Sequence, residues 1–306
     1  MYSRASFAGY WFAAPAILLM IIILIVPVLI AAYLSFTDYS LGNPDINWIG
    51  IQNYESLFNR SSYKKMFSAS LIYVGITAPL SIGLGLGAAL LINSLKHFKD
   101  LYKAIYFLPV MAALLAMAIV WEFALHPSIG IINKTLSLGC DTWLESVRWY
   151  ARSCATGFPQ WLGDKSFTMA TICFIGVWQG FGFNMVLYLA GLTSVPRELY
   201  HAAEIDGASS AWDRFRLVTW PMLGPTTVFV VTITMIRSFQ VFDTVEALTQ
   251  GGPVRSTYVM MYGIFEKGIQ QNLIGIGSAI TMVFLAFVLL LTLIQRWLVD
   301  RRTFYS

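Results

Sequence analysis

The stretch ILLMIIILIVPVLIAAYLSF, residues Ile17–Phe36, decides the fold class of this chain. It contains no charged side chain, and it is long enough to cross a membrane, because about 20 apolar residues of a helix span the ~30 Å hydrocarbon core of a bilayer. The apolar run is too long for the core of a cleavable signal peptide, and it lacks a clear small-residue cleavage site. Pro27 is tolerated in such a helix, where neighbouring helices satisfy the freed backbone groups. We therefore expect a membrane-spanning helix near the N-terminus.

The composition of the whole chain favours a membrane protein. Of its 306 residues, 57% are hydrophobic and 12% are charged, and the mean hydropathy is +0.66; a soluble domain carries about 25% charged residues. Long unbroken apolar runs predict helices, because the strands of a membrane barrel alternate over about ten residues. We predict an all-α membrane protein with a single transmembrane domain over residues 1–306. The six predicted spans cover residues 10–36, 67–92, 101–125, 167–192, 221–248 and 273–298.

Arginine and lysine residues predict how the spans are oriented. With six spans both termini lie on one side, and arginine and lysine are denser in the loops of that side. By the positive-inside rule, we place both termini in the cytoplasm. Residues 196–221 then form a cytoplasmic loop between spans four and five, and residues 126–166 form a long external loop. Cys140 and Cys154 lie in the external loop, where an oxidising compartment allows a disulfide; two unpaired thiols are the alternative.

The sequence lacks the motifs of a catalytic or nucleotide-binding protein. No G-x-x-x-x-G-K-[ST] phosphate loop is present, and the three histidines show no metal-ligand spacing. The net charge of +4 comes without a basic run carrying interleaved aromatics, which excludes nucleic acid as a partner and leaves the lipid bilayer. We predict no catalytic residue, no metal site and no cofactor. An intramembrane enzyme would need a nucleophile or a metal set, and the sequence offers neither.

A polar stretch, HAAEIDGASSAWDRFRLVTWP at His201–Pro221, lies between two apolar spans. It predicts two amphipathic helices, Arg197–Ile205 and Ser209–Thr219, with a bend at Gly207, because glycine adopts backbone angles that strain other residues. An ordinary amphipathic helix at the membrane surface is the alternative. The compact apolar face available for docking is formed by Ala202, Ala203 and Phe215.

The same region resembles a known family. The segment ELYHAAEIDGASSAWDRFRLVTWPMLGP is similar to the cytoplasmic loop of ATP-binding-cassette import permeases, in which E-A-A is followed by x-x-D-G-A and then by phenylalanine and proline at set spacing. The similarity extends almost from end to end, through WIGIQNYESLF, LYKAIYFLPVMAALLAMAIVWEF, GVWQGFGFNMVLYLAGLTSVP and FDTVEALTQGGP. Together these segments resemble the carbohydrate-uptake branch, the maltose- and glycerol-phosphate-type permeases.

The resemblance implies a transport mechanism in a bacterial inner membrane. A second homologous permease subunit completes the pathway, a periplasmic binding protein delivers the carbohydrate, and an ATPase dimer binds ATP and magnesium. The loop 196–221 carries a coupling helix that docks on the ATPase and rocks the bundle. His201 departs from the pattern, which has glutamate there, and Glu198 is out of register. The residues that the resemblance assigns to ATPase docking are Glu198, His201, Ala202, Ala203, Asp206, Gly207, Ala208 and Phe215.

Polar residues inside spans are costly, so they are candidates for substrate contacts. The segment of span four that resembles the sugar-contacting part of related permeases contains Gln179, Gly180, Phe183 and Asn184. Span five adds Arg237, Ser238, Gln240 and Asp243. Hydrogen bonding between helices is the alternative role for each.

Arg237 carries a charge inside the predicted fifth span. We expect Arg237 to line the translocation cavity, paired with Asp243 or with a substrate anion, and a preference for an anionic sugar derivative is an extension of that hypothesis. The alternative function is a structural or docking permease subunit whose partner permease alone contacts the substrate.

Overall fold

The computed structural model describes residues 2–43, 45–140 and 147–300. Over these residues the regular structure is helical, apart from one isolated antiparallel bridge between Thr37 and Trp48. In chain order the α-helices are α1 (Tyr2–Met20), α2 (Val26–Leu34), α3 (Gln52–Asn59), α4 (Ser61–Ser94), α5 (Lys99–Met111), α6 (Leu114–Ala124), α7 (Ile131–Ser137), α8 (Arg148–Thr156), α9 (Lys165–Thr193), α10 (Arg197–Ile205), α11 (Ala211–Arg214), α12 (Trp220–Met222), α13 (Gly224–Phe239), α14 (Asp243–Leu248), α15 (Met260–Ile264) and α16 (Ile274–Asp300). Short π-helical segments cover Ile21–Ile25, Phe215–Thr219 and Phe265–Gln270.

Five of the six predicted spans correspond to continuous apolar segments in the part of the chain that the structure describes. The third does not, because α5 and α6 meet at a bend of 98°. The bend lies at Ala112 and Ala113, whose backbones are extended. Hydropathy reports apolar length and not direction, so the sequence predicts one span over residues 101–125 where the structure has two helices. The five continuous segments are Trp11–Leu34, Ser61–Ser94, Lys165–Thr193, Gly224–Leu248 and Ile274–Ile294.

The chain divides into two compact units, of which the first comprises Met1–Lys64 and Gly263–Phe287. In this unit Asn53 of α3 is buried and ties α3 to the end of the first span. Its side-chain amide donates hydrogen bonds to the carbonyls of Ser35 and Thr37, both at 2.9 Å. The bonds satisfy carbonyls that the end of α2 would otherwise leave without a partner.

Asp38 organises the turn after α2. Its carboxylate accepts hydrogen bonds from the backbone N–H of Asn47 at 2.9 Å and from the side-chain amide of Asn47 at 3.1 Å. These bonds stabilise the ionised form and hold the pKa of Asp38 below its ordinary value. The backbone N–H of Leu41 donates to the carbonyl of Asn272 at 2.9 Å, which fixes the turn against the segment before α16.

The second unit comprises Lys65–Tyr262 and Val288–Ser306, and its core lies among α4, α9 and α13. The helices α4 and α9 approach closely at Gly85, where an added Cβ atom would lie 2.6 Å from the Cβ atom of Asn184. Small residues permit such approach in membrane bundles. The buried apolar cluster that joins the three helices consists of Ala89, Ile92, Met185, Tyr188, Leu189, Leu192, Leu223 and Val230.

The predicted external loop 126–166 is ordered around Asn133, which is buried; residues 141–146 lie outside the described part. The side-chain oxygen of Asn133 accepts a hydrogen bond from Nε1 of Trp161 at 2.7 Å. Its nitrogen donates to the carbonyls of Pro127 at 3.1 Å and Pro159 at 3.4 Å. Cys140 and Cys154 are joined in a disulfide with Cα atoms 5.9 Å apart. In the chain-entropy model, a closed loop of this size stabilises the fold by about 3 kcal/mol.

Candidate functional site: a cavity in the spans and a polar loop

A cavity of about 190 Å³ lies in the second unit, between the middle of α4, the middle of α9 and the break between α13 and α14. Val110 and Leu114, on either side of the bend between α5 and α6, complete its wall. All eight residues that are predicted from the sequence to contact substrate line this cavity. They are Gln179, Gly180, Phe183, Asn184, Arg237, Ser238, Gln240 and Asp243.

The charged residues of the cavity lie at two helix ends. Arg237 is in the last turn of α13 and Asp243 is in the first turn of α14, where each charge is favourable with its helix dipole. The guanidinium carbon of Arg237 lies 4.6 Å from the centre of the Phe183 ring. In the described part of the chain, ion pairs within 4.0 Å join Lys103 to Asp100 and Arg214 to Glu204, so the expected pairing of Arg237 with Asp243 is not formed.

Asn184 joins three helices. It is 1% exposed, and its side-chain oxygen accepts a hydrogen bond from Oγ1 of Thr234 at 2.8 Å. Its nitrogen donates to Oγ of Ser81 at 3.4 Å. The approach of α4 at Gly85 brings Ser81 within reach. In this structure Asn184 therefore has the alternative role expected for polar residues of the spans, which is hydrogen bonding between helices.

We expect the contact between Asn184 and Thr234 to contribute to the stability of the helix bundle. Asn184→Ala and Thr234→Val should each lower thermal stability in detergent, and the double variant should lose less than the sum of the two. Hydrogen bonds between membrane helices contribute about 0.6–2 kcal/mol. A double-mutant cycle followed by thermal unfolding measures the coupling. Strictly additive losses would contradict the role of Asn184 as a link between helices.

One wall of the cavity consists of residues that the sequence analysis does not predict as substrate contacts. Tyr73, Thr77 and Ser81 of α4 line it, and all three are almost completely buried. Their spacing of four residues places the hydroxyl groups on one face of a helix. Hydroxyl residues at this spacing indicate a polar face on the helix, but the sequence does not show which helix packs opposite that face.

The polar loop begins with a helix at the predicted residues, Arg197–Ile205. Gly207 ends it with a φ of +94°. The N–H of Ala208 donates to the carbonyl of Ala203 at 2.9 Å, and the N–H of Gly207 donates to that of Glu204 at 3.2 Å. This pair of bonds is the Schellman motif, in which glycine occupies the left-handed position. Gly207 is therefore a helix stop with defined geometry, and it lies at the predicted bend.

The second part of the loop is shorter than predicted as an α-helix. Ser210 and Asp213 form a reciprocal capping box at the start of α11, and the π-helical segment Phe215–Thr219 follows it. Tyr200 of α10 shares a 3.0 Å hydrogen bond with Oγ1 of Thr219. These contacts connect the loop to the beginning of the fifth span.

The apolar surface of the loop differs from the predicted one. Phe215 is half-buried, because it packs against Trp212 at 5.5 Å and Trp220 at 6.0 Å between ring centres. Ala208 is buried beneath the Schellman turn, whereas Ile205 is 87% exposed and Trp212 is 67% exposed. The most exposed large apolar groups of the loop are thus Ile205, Trp212 and Leu217, the last of which is 64% exposed; the sequence did not single them out.

Comparison with known proteins gives these features a context. Residues 58–304 match the family described as "Binding-protein-dependent transport system inner membrane component". The chain belongs to this family. It is a membrane component of a transport system, and this permease family is not an enzyme family.

Relatives of the permease are named for the transport of glycerol phosphate and of oligosaccharides. It is 28% identical to the sn-glycerol-3-phosphate transport system permease protein UgpA of Pectobacterium atrosepticum, over 99% of this chain and 97% of that protein. It is 28% identical to the arabinooligosaccharides transport system permease protein AraP of Bacillus subtilis, over 96% of this chain and 88% of that protein.

A solved structure shares the fold of the permease. It is a chain of a bacterial alginate ABC transporter in complex with an alginate pentasaccharide-bound periplasmic protein. The TM-score is 0.81 and the sequences are 21% identical, over 97% of this chain and 96% of that chain. The permease thus has the fold of that transporter chain.

Proposed function

We propose that this chain is a permease subunit of an ATP-driven importer for a sugar or sugar derivative that a periplasmic binding protein delivers. The observation that carries the proposal is the cavity, in which the amide of Gln179, the hydroxyl groups of α4 and the ring of Phe183 converge. Amides and hydroxyl groups bond the hydroxyl groups of a saccharide, and an aromatic face stacks on a pyranose ring. The names of UgpA, AraP and the alginate transporter support the same class of cargo.

The cavity fits a pathway that two permease subunits share. Small-molecule sites usually enclose about 300–1,000 Å³, and this one is smaller, at about 190 Å³. Arg237, Gln240 and Asp243 are exposed in the isolated chain although they lie within the span Gly224–Leu248. Exposed polar groups in a span belong next to water or to another subunit. A second homologous permease subunit supplies the missing wall.

The loop 196–221 is the connection to the energy source in this proposal. Both termini and this loop lie in the cytoplasm of a bacterium, and the loop carries the coupling helix α10. Separate ATPase subunits bind ATP and magnesium and hold α10. The Schellman turn at Gly207 and the hydrogen bond between Tyr200 and Thr219 pass the movement of the ATPases to the fifth span. The external loop 126–166, ordered around Asn133, faces the binding protein.

Gln179→Ala tests the proposed cavity. In proteoliposomes that contain the assembled importer, ATP and binding protein, we expect saccharide uptake to fall about tenfold, because hydrogen bonds to substrate hydroxyl groups discriminate strongly. Gln271→Ala is the matched control, since Gln271 does not line the cavity. Uptake is measured with radiolabelled saccharides.

One observation favours the alternative of a docking subunit whose partner alone contacts the cargo. The side chain of Asn184 makes hydrogen bonds to Ser81 and Thr234, which hold it in a link between helices. Normal KM and maximal rate in both Gln179→Ala and Phe183→Leu, in an importer of normal subunit composition, would establish that alternative.

A further inference from the structure

Arg237 and Phe183 form a contact that bears on what the cavity accepts. The guanidinium carbon of Arg237 lies 4.6 Å from the ring centre of Phe183. An arginine in this position covers the aromatic face and is held there by the cation–π attraction. We propose that Arg237 makes the cavity selective for anionic sugar derivatives, which bear a carboxylate or a phosphate, over their neutral counterparts. The inference rests on the proposed function.

The face of Phe183 is the surface on which a pyranose ring would stack. A saccharide and the guanidinium cannot both occupy it, so a stacking ligand must move Arg237 aside. Moving a cation off an aromatic ring costs its cation–π energy, and the cation then needs another partner. A neutral sugar provides only hydroxyl groups for this purpose.

The guanidinium has the donors that an anionic ligand requires. Its five N–H groups form a planar fork that matches the two oxygens of a carboxylate or a phosphate. Hydrogen bonds of this charged kind are roughly twice as strong as those between neutral groups. A ligand with an anionic group therefore replaces the lost aromatic contact, and the ring of Phe183 becomes free to stack on the sugar.

The charge of Arg237 is not already neutralised by the chain. Among the described residues no carboxylate lies within 4.0 Å of a side-chain nitrogen of Arg237. Asp243 lines the same cavity, at the start of α14, without pairing with it. Asp243 repels an anionic ligand, so its removal should strengthen the selectivity that Arg237 provides.

The test compares each acidic sugar with its neutral counterpart in the assembled importer. The pairs are glucuronate with glucose, galacturonate with galactose, digalacturonate with digalactose, and glucose 6-phosphate with glucose. Uptake into proteoliposomes is measured for each member with the same binding protein. The selectivity of the binding protein then cancels when the acid-to-neutral ratio of a variant is divided by that of the wild type.

We expect the wild type to prefer the acid in at least one pair and Arg237→Gln to reduce that preference about tenfold or more. Arg237→Lys should keep part of the preference, since it retains the charge without the planar fork. Asp243→Asn should raise it. Arg255→Gln is the matched control, because Arg255 also lies over an aromatic ring, that of Tyr258 at 4.9 Å, but does not line the cavity.

The outcomes separate this inference from the proposed function. If the importer takes up saccharides and the acid-to-neutral ratio of Arg237→Gln equals that of the wild type in every pair, anion selectivity by Arg237 is refuted and the sugar permease remains. If no saccharide of either charge is taken up, the proposed function fails and the inference fails with it. Size-exclusion chromatography of each variant verifies that the importer is assembled before uptake is compared.

Discussion

Gly207→Val is expected to separate ATP hydrolysis from uptake in the assembled importer. The φ of Gly207 is +94°, a backbone conformation that a β-branched residue avoids. Left-handed backbone costs a residue with a side chain about 1–2 kcal/mol, so valine should open the Schellman turn and release Ala208 from its buried position. We expect ATPase activity that no longer responds to loaded binding protein, together with uptake reduced about tenfold or more. Both are measured in the same proteoliposomes.

Three variants identify the cause of that effect. Gly207→Asn should retain much of the coupling, since asparagine tolerates left-handed backbone better than valine. Gly42→Val imposes the same kind of strain elsewhere, because Gly42 has a φ of +100° and an added Cβ atom meets nothing within 4 Å at either glycine. His201→Glu should be tolerated, since His201 is exposed and glutamate restores the family pattern. Normal coupling in Gly207→Val would leave the loop as a surface helix only.

The bounds of the polar loop could be predicted because its signals are local. Pro196 precedes the helix Arg197–Ile205 and Gly207 follows it, and both act through backbone geometry within a few residues. The spans were predictable for a similar reason, since apolar length alone distinguishes a membrane helix. Neither signal depends on what the helix packs against.

Local sequence signals could not predict two features of the structure. These are the bend between α5 and α6 and the cavity wall that α4 contributes. The sequence is apolar both before Ala112 and after Ala113. The hydropathy of the third span is therefore continuous, although the helix axis changes direction by 98°. Thr77 and Ser81 are small hydroxyl residues that a membrane helix tolerates anywhere, and their role depends on α9 lying opposite them. Such contacts are properties of the packing between helices.

The exposed apolar residues of the loop also depend on side-chain packing, which the sequence alone does not predict. The sequence predicts that Phe215, together with Ala202 and Ala203, forms a compact apolar face for docking. In the structure Trp212 and Trp220 pack against Phe215. The strongly exposed apolar side chains of the loop are instead Ile205, Trp212 and Leu217.

Ile205→Asp should therefore have the second large effect, the loss of the ATPase from the purified importer. Ile205 is 87% exposed on the last turn of α10, next to the Schellman stop that fixes its direction. Large apolar side chains that fill a partner's pocket contribute about 2 kcal/mol or more to binding, which corresponds to roughly 30-fold in affinity. An aspartate at the centre of such a contact also buries a charge without a partner. The measurement is co-purification of the ATPase in detergent, followed by its binding affinity.

Ile269→Asp is the control for that variant, because Ile269 is also strongly exposed, at 66%, but lies outside the loop. Trp212→Ala should weaken ATPase binding as well, since Trp212 is the next most exposed large apolar group of the loop, at 67%. If Ile205→Asp and Trp212→Ala both bind the ATPase with wild-type affinity, the docking face must lie on the small and polar residues of the motif, Ala202 and Glu198 among them. The loop would then bind through backbone shape and charge, and the apolar groups that the structure exposes would contact lipid.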